Sequence, residues 1–339
     1  MPSILISGGA GFIGVNTAIA FSKSGWDVSI IDNLSRKGTE KNLGWLKDQC
    51  SVDFYQIDIR DFEQTSAVIQ TVKPDMLLHL AAQVAVTTSY LNPREDFEIN
   101  ALGSFNILEA VRLFSPDTFV LYSSTNKVYG GMEDTPVLLT ENGYQFQDLI
   151  HGVSELQPLD FHSPYGCSKG IADQYTIDYA RIYGLKTCSF RQSCIYGPRQ
   201  FGIEDQGWVA WFTIAARLGK PITLYGDGWQ LRDVLNVKDL SSAYQLAWEN
   251  RNSISGQAFN IGGGNENTLC LRNLIGLLEN ELNVEIQPKF AESRPGDQPV
   301  FVCDIRKAKE MLGWAPEIDV YTGIKDLINW VDSNTSLFV

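Results

Sequence analysis

The chain has 339 residues, 44% of them hydrophobic and 20% charged, which is typical of a globular protein with a sizeable buried core. Its formal net charge of −13 repels phosphate backbones and anionic lipid, so neither nucleic acid nor a membrane surface is a favoured partner. No apolar run approaches the roughly 18 residues of a membrane span, and the first lysine is Lys23, too late for a signal peptide. We therefore expect a cytoplasmic protein.

The elements predicted along the first half are those of parallel β-α-β units. Short apolar runs alternate with amphipathic stretches, and runs without strict alternation suit a sheet that is buried on both faces. The predicted strands are Ile4–Ser7, Val28–Ile31, Val52–Gln56, Met76–Leu80, Phe119–Ser123 and Thr187–Arg191. Helices are predicted near residues 12–24, 61–72, 93–114 and 165–183. The fold class is α/β, a doubly wound parallel Rossmann sheet.

A glycine-rich loop follows the first predicted strand and opens the first predicted helix. Gly8, Gly11 and Gly14 have the spacing that permits a tight turn, close approach of the backbone to a pyrophosphate, and close packing of helix on strand. Asp32 ends the second predicted strand, where a carboxylate can accept hydrogen bonds from ribose hydroxyls and repel a 2′-phosphate. The pattern favours NAD over NADP, although Arg36 and Lys37 lie nearby.

Tyr165 and Lys169 lie one helical turn apart, in the sequence YGCSK. Lys169 is expected to lower the pKa of Tyr165 toward neutrality, because an ammonium group stabilises a phenolate. Thr125 ends a predicted strand, at the edge where open α/β sheets place their ligands, and completes a candidate acid/base group. Tyr321 and Lys325 repeat the spacing, but they lie far from any cofactor strand and Gly323 is expected to interrupt their helix.

Two stretches depart from the β-α-β rhythm. Residues 131–163, directly before Tyr165, are polar, aromatic and loop-like, as functional insertions often are, although a surface excursion without function is an equal alternative. Beyond Arg191 the pattern is less regular, which predicts a smaller α+β domain. We expect an NAD-binding domain over 1–190, with a returning segment near 234–256, and mainly substrate binding over 191–339. The glycines at 262–264 are predicted to form a turn.

Histidine and cysteine spacing predicts neither a metal site nor disulfides. The cysteines include no Cys-x-x-Cys pair, and His79, His151 and His162 lack ligand spacing such as His-x-x-x-His.

Several segments together resemble the extended short-chain dehydrogenases/reductases, and among them the NAD-dependent nucleotide-sugar epimerases. These segments are GGAGFIG, DNLSRKG, DIR, HLAAQ, YSSTNKVYG, YGCSK and RDVL. Longer stretches resemble the members that epimerise CDP-linked sugars at C2. They are QVAVTTSYLNPREDFEIN, LDFHSPYGCSKG, YGPRQF and DQGWVAWF.

The resemblance implies transient oxidation of the sugar by tightly held NAD, here of CDP-paratose at C2 to give CDP-tyvelose. It assigns Thr125, Tyr165 and Lys169 to catalysis. Residues implied to surround the cofactor, besides Tyr165 and Lys169, are Gly8, Gly11, Phe12, Ile13, Asp32, Asn33, Ser35, Arg36, Asp58, Ile59, Leu80, Ala81, Gln83 and Asn100. Residues implied to contact the nucleotide-diphosphate sugar, besides Thr125, are Arg199, Gln206, Arg232, Arg294 and Asp297. A homo-oligomer, a dimer or tetramer, is implied through the helices near 93–114 and 165–183.

Two departures from the family pattern bear on which of the family's reactions this chain is expected to catalyse. The related 4,6-dehydratases carry an Asp-Glu pair after the catalytic threonine, whereas this chain has Asn126 and Lys127, which disfavours water elimination. Cys194 stands where 4-epimerases carry an asparagine, and we expect it to pack rather than react. A 4-epimerase of UDP- or GDP-hexoses, a net NAD-dependent sugar oxidoreductase and a non-catalytic NAD-binding regulator remain alternatives.

Overall fold

A computed structural model describes residues 1–293 and 297–338 of the chain. Its strands are β1 (Ser3–Ser7), β2 (Asp27–Ile31), β3 (Asp53–Tyr55), β4 (Met76–His79), β5 (Phe119–Thr125), β6 (Val137–Thr140), β7 (Gly143–Phe146), β8 (Thr187–Gln192), β9 (Cys194–Tyr196), β10 (Thr223–Tyr225), β11 (Leu231–Asn236), β12 (Gln257–Ile261), β13 (Thr268–Cys270), β14 (Lys289–Ala291) and β15 (Val300–Phe301). Its α-helices are α1 (Phe12–Lys23), α2 (Thr39–Gln49), α3 (Phe62–Val72), α4 (Val86–Leu91), α5 (Pro93–Phe97), α6 (Gly103–Phe114), α7 (Ser163–Tyr183), α8 (Trp208–Arg217), α9 (Val237–Glu249), α10 (Leu271–Leu282), α11 (Arg306–Leu312) and α12 (Val320–Ser333).

The central sheet has seven parallel strands in the order β12-β8-β5-β4-β1-β2-β3. After β1 the chain builds outward through β2 and β3, then crosses back to add β4, β5 and β8 on the other side. The strand order therefore reverses between β1 and β4, and a crevice is expected outside the carboxyl ends of the strands there. The predicted doubly wound α/β fold is confirmed.

All six predicted strands are present, with ends that differ by one or two residues. The sheet also contains β12, which was not predicted and which pairs with β8 at the edge. Before β12 comes α9, whose Ser241 and Gln245 contact Thr17 and Ala20 of α1. The predicted return of the chain near 234–256 thus places α9 against the first helix.

The helix predicted over 93–114 is divided into three parts. Between α5 and α6, residues Glu98–Leu102 form a π-helical turn, a feature that often occurs at functional sites. The turn carries Asn100, whose side chain is buried at 1% exposure. A periodicity of 3.6 residues does not reveal such a local change of hydrogen bonding.

The segment 131–163, expected to be loop-like, contains the antiparallel hairpin β6–β7. Its Tyr144 donates a backbone hydrogen bond to Trp229, and Val153 exchanges backbone hydrogen bonds with Val302 and Asp304. The expectation of a wholly irregular segment was wrong, because these short strands pair within the segment and with the second half of the chain.

The second half forms a smaller α+β layer around β11, which pairs with β9, β13 and β15. A separate apolar cluster lies here, formed largely by α8, α10 and α12. Gly323 lies inside α12 and does not interrupt it; a Cβ at this position would collide with the Tyr196 hydroxyl. Over 1–293 and 297–338, no helix has both the length and the apolar character that crossing a bilayer requires.

Candidate active site

A cleft opens outside the carboxyl ends of β1, β4, β5 and β8, at the reversal of strand order. Its volume, including the solvent-filled entrance, is about 1090 Å³. Four cationic side chains, Arg36, Lys37, Lys169 and Arg199, line it. In the described part of the chain, no aspartate or glutamate is among its lining residues. The cleft is therefore a positively charged site in a chain of net charge −13, and it suits a polyanionic ligand.

The glycine loop forms one wall of the cleft. Gly8 has φ 71°, in the left-handed region that favours glycine, and a Cβ at Gly14 would lie 2.5 Å from the Gly8 carbonyl oxygen. Helix α1 begins directly after Gly11, a residue with no side chain to cap it, so its first amide groups are available to an anion. Gly11, Phe12 and Ile13 all line the cleft, and the loop fits a dinucleotide diphosphate.

Asp32 lies at the end of β2 and joins two loops of this wall. Its carboxylate accepts hydrogen bonds from the amides of Ala10, at 3.0 Å, and Leu34, at 2.8 Å. Burial raises the pKa of Asp32, and these two amides oppose that rise. A carboxylate has about four acceptor positions, so capacity remains for ribose hydroxyls.

Four further predicted residues lie beyond β2 and β3. Asn33 donates to Asp58 at 2.9 Å and accepts from the amide of Ser35 at 3.1 Å. Arg60 binds Asp58 through its guanidinium and holds the pKa of that carboxyl down at about 2. Ile59 is buried beside them at 5% exposure.

The residues predicted after β4 lie partly in the cleft and partly behind it. Leu80 lines the cleft. Ala81 lies so close to Gly8 that a Cβ on residue 8 would be 2.7 Å from the Ala81 nitrogen. Gln83 and Asn100 instead bind each other through two hydrogen bonds of 2.8 and 3.0 Å. Asn100 supports this loop from behind.

Tyr165 and Lys169 enter the cleft from α7 and meet Thr125 at the end of β5. Thr125 lowers the pKa of the Tyr165 hydroxyl, in opposition to burial. The Lys169 Nζ donates to the Ser123 carbonyl at 2.6 Å and lies 4.4 Å from the centre of the Tyr122 ring. The structure therefore brings the three predicted catalytic residues together.

The pKa values of this pair run against the sequence prediction. Burial raises the pKa of Tyr165 to about 12, and burial lowers that of Lys169 to about 7. The Tyr165 pKa is therefore raised rather than lowered as the sequence predicted, because the loss of hydration outweighs the lowering by Thr125 and Arg36. Asp96 and Arg36 also act on Tyr165, in opposite directions.

The predicted substrate residues are divided between two places. Arg232 forms an ion pair with Asp297 at 2.7 Å and donates to the Gln298 carbonyl at 2.6 Å. The Nζ of Lys127, two residues after Thr125, donates to the Gln298 side chain at 3.3 Å. These residues form a second polar group beyond Thr125. Arg294 lies outside the described residues.

Gln206 and Arg199 lie in the cleft with the glycine loop rather than with Arg232. The Arg36 guanidinium crosses the cleft to donate to the Gln206 side chain at 2.6 Å. This bond joins the loop after β2 to the segment before α8, so the cleft is walled by both halves of the chain.

An ion pair behind Lys169 was missed by the sequence prediction. Asp173, four residues after Lys169 on α7, binds Arg191 of β8 at 2.9 Å, and their side chains are 0% and 5% exposed. Arg191 also donates to the Tyr129 hydroxyl at 3.1 Å. A charged residue within a buried strand requires a counter-ion, and that signal could have identified the pair.

The second Tyr-x-x-x-Lys pattern lies on the exterior of α12. Tyr321 is 49% exposed and its hydroxyl donates to Glu281 at 2.6 Å. Cys194 packs against the apolar cluster of the second half.

Known proteins of similar sequence cover nearly the whole chain. Residues 5–327 match the family model described as GDP-mannose 4,6 dehydratase. A CDP-paratose 2-epimerase from Salmonella typhi is 46% identical over 335 residues, which cover 97% of this chain and 99% of that protein. A putative UDP-glucose 4-epimerase from Methanocaldococcus jannaschii is 33% identical over 98% of this chain and 99% of its own length.

Solved structures are also similar to this chain over nearly its whole length. UDP-glucose 4-epimerase from Thermotoga maritima, crystallised with UDP-glucose, has a TM-score of 0.84 at 30% identity, covering 98% of this chain and 99% of its own. UDP-glucose 4-epimerase from Thermus thermophilus, in complex with NAD, has a TM-score of 0.81 at 28% identity with the same coverage of both chains.

Proposed function

The chain belongs to the GDP-mannose 4,6 dehydratase family of extended short-chain dehydrogenases/reductases, and on this premise we propose that it is an NAD-dependent isomerase of nucleotide sugars. Its reaction is the epimerisation of CDP-paratose at C2 to CDP-tyvelose. The 46% identity to a CDP-paratose 2-epimerase over nearly both full lengths supports this substrate.

One observation carries the choice of epimerisation over dehydration. Among the described residues that line the cleft there is no carboxylic acid, and Thr125 is followed by Asn126 and Lys127. Eliminating water requires an acid that protonates the leaving hydroxyl, which an amide cannot do. Tyr165 and Thr125 can exchange a proton with one sugar hydroxyl and return it, and this is sufficient for epimerisation.

The chain's own residues hold the reactants and move one proton. Gly11, Phe12 and Ile13 present amide groups to the cofactor diphosphate. The Asp32 carboxylate accepts hydrogen bonds from the hydroxyls of the cofactor ribose. NAD held by these residues would supply a reversible hydride acceptor for C2 of the sugar. Tyr165 takes the proton of the C2 hydroxyl and later gives it back, so no net oxidation results.

The pKa of Tyr165 must fall for this proton transfer. A positive charge held beside the phenol lowers its pKa, and the Lys169 ammonium and an oxidised nicotinamide are both cations. Lys169 itself, with a pKa of about 7, gains protons when phosphate groups enter the cleft, because anions stabilise an ammonium group. Loading of the cleft therefore prepares the acid/base pair.

The proton NMR spectrum of the sugar tests the activity directly. Purified protein incubated with CDP-paratose, without added cofactor, should convert the H2 signal to that of CDP-tyvelose while no NADH accumulates at 340 nm. Absence of conversion both with and without added NAD would reject this substrate. Conversion of UDP-glucose instead would identify a 4-epimerase, and stoichiometric NADH would identify a net oxidoreductase.

We also propose a homo-oligomer, a dimer or tetramer, formed through α5–α6 and α7. Apolar side chains on these helices are exposed, and Phe105 of α6 meets Tyr175 of α7 at 5.6 Å between ring centres. The exposed set is Phe97, Leu102, Phe105, Leu113, Tyr175, Ile182 and Tyr183. Several exposed apolar side chains on two neighbouring helices are typical of a subunit interface.

Replacing Leu102 with glutamate should weaken this association at least tenfold, because the interface would have to bury an unpaired carboxylate. Leu102 is 41% exposed, whereas Leu156, at 92%, lies outside these helices and provides the matched control. Sedimentation velocity over a range of concentrations measures the effect. Equal behaviour of Leu102→Glu and Leu156→Glu would place the interface elsewhere.

A further inference from the structure

Arg199 is a buried cation with no counter-ion among the described residues. Its side chain is 5% exposed and stacks on Trp45 of α2, with the guanidinium carbon 4.2 Å from the ring centre. One terminal nitrogen donates to the Lys41 carbonyl at 3.3 Å, while Nε has no partner among the described residues. Burial lowers the pKa of Arg199 to about 10, with no carboxylate opposing it in the described part of the chain. Burying such a charge is costly unless an anion pairs with it.

The backbone around Arg199 is anchored to the helices that frame the glycine loop. Asn16 of α1 donates to the Pro198 carbonyl at 2.9 Å, and Asn42 of α2 donates to the Arg199 carbonyl at 3.2 Å. Arg199 itself has φ 70°, a strained value for a residue with a side chain. The contacts from α1 and α2 hold this conformation, so the Arg199 side chain is positioned by the cofactor half of the protein.

Two further buried groups near Arg199 lack partners. The side-chain oxygens of Asn42 and Gln200 make no hydrogen bond within the described residues, although their side chains are only 2% and 4% exposed. Both residues line the cleft together with Arg199 and the glycine loop. The Arg199 donor calls for an anion and the two amide oxygens call for hydroxyl donors, and a dinucleotide carries both in its diphosphate and its riboses.

We infer that Arg199 binds the diphosphate of the dinucleotide, rather than that of the sugar nucleotide, and so retains the cofactor during turnover. This inference rests on the proposed use of NAD. A guanidinium that stacks on an indole keeps its edge free for bidentate contact with phosphate oxygens. The diphosphate of a sugar nucleotide has the same chemistry, but Arg232, paired with Asp297 beyond Thr125, lies nearer the predicted sugar side.

The test compares Arg199→Met with Arg251→Met in the full-length protein. Arg251 is the matched control, because it also stacks on a tryptophan, Trp248 at 3.9 Å, and donates to a backbone carbonyl, but it does not line the cleft. NAD per chain after purification, the rate of NAD release and the affinity for CDP are measured without any sugar. Arg199→Met should release NAD at least tenfold faster with unchanged CDP affinity, Arg199→Lys should be intermediate, and Arg251→Met should match the wild type.

Thermal unfolding separates this role from a structural one. Without NAD, Arg199→Met should unfold at or above the wild-type temperature, because a buried unpaired charge is removed; with saturating NAD it should unfold below the wild type. Lower stability in both conditions, or a variant that does not fold, would show a structural role and overturn the inference. Unchanged NAD release with a tenfold loss of CDP affinity would assign Arg199 to the sugar nucleotide. The rate of NAD release and the unfolding temperatures do not depend on whether CDP-paratose is the substrate.

Discussion

Replacing Tyr165 with phenylalanine should reduce kcat about 10³-fold while NAD content and the free energy of unfolding stay close to wild type. The substitution removes only the hydroxyl of a side chain that lines the cleft together with Thr125. General acid–base catalysis contributes about 10²- to 10⁴-fold to a rate, and the Tyr165 hydroxyl is the group we propose to transfer the proton. Turnover of CDP-paratose and NAD per chain are measured on the same preparation.

Tyr321→Phe is the control for this experiment. Tyr321 has the same spacing to a lysine, but its hydroxyl binds Glu281 on the exterior of α12. We expect its kcat to remain within twofold of wild type. A rate close to wild type for Tyr165→Phe would exclude Tyr165 as the acid/base group.

The second large effect is on stability, and it follows from the buried Asp173–Arg191 pair. Replacing Arg191 with methionine should lower the free energy of unfolding by about 3–5 kcal/mol, because an uncompensated carboxylate remains in the interior. Burial raises the pKa of Asp173, but Arg191 and a hydrogen bond from Ser189 help to bring it below its usual value. Without Arg191 the pKa should instead lie above that of the unfolded chain.

The effect of Arg191→Met on stability should depend on pH, because the substitution reverses the direction in which the pKa of Asp173 is shifted. In the wild type the lowered pKa of Asp173 contributes stability above the unfolded pKa, and this contribution is lost as the pH falls through the folded value. In Arg191→Met the raised pKa has the opposite effect, since protonation of Asp173 stabilises the fold. In urea unfolding, the difference in free energy of unfolding between the wild type and Arg191→Met should therefore be largest near pH 7 and should decrease toward pH 4.

Two comparisons complete the stability experiment. Arg191→Met combined with Asp173→Asn should recover part of the loss, because no buried charge remains. Arg217→Met removes an exposed pair with Asp332, whose side chains are 42% and 36% exposed, and should cost less than about 1 kcal/mol. A loss no larger for Arg191→Met than for Arg217→Met would contradict the argument.

Much of the fold could be predicted because its signals are local. Apolar runs identified six strands of the central sheet, and the glycine spacing identified the loop before α1. By contrast, β12 enters the sheet beside β8 after an intervening stretch of α+β structure. A short apolar run does not indicate which sheet it will join, because that depends on contacts distant in sequence.

The candidate site shows the same limit. Thr125, Tyr165 and Lys169 could be placed together because each follows from a strand end or a helical turn. Arg199 was expected on the sugar side, but contacts with α1 and α2, invisible in the local sequence, place it by the glycine loop. The raised pKa of Tyr165 likewise depends on burial, which composition and spacing do not reveal.

The position of β12 has a consequence for how such proteins can diversify. Because this strand from late in the chain closes the sheet against β8, and α9 before it packs on α1, a contiguous C-terminal piece exchanged between relatives would take part of the cofactor scaffold with it. Recombination at a single crossover is therefore poorly suited to altering substrate choice. Inheritance of new specificity should proceed instead through changes confined to the loops, as between Thr125 and β6 or around Arg232.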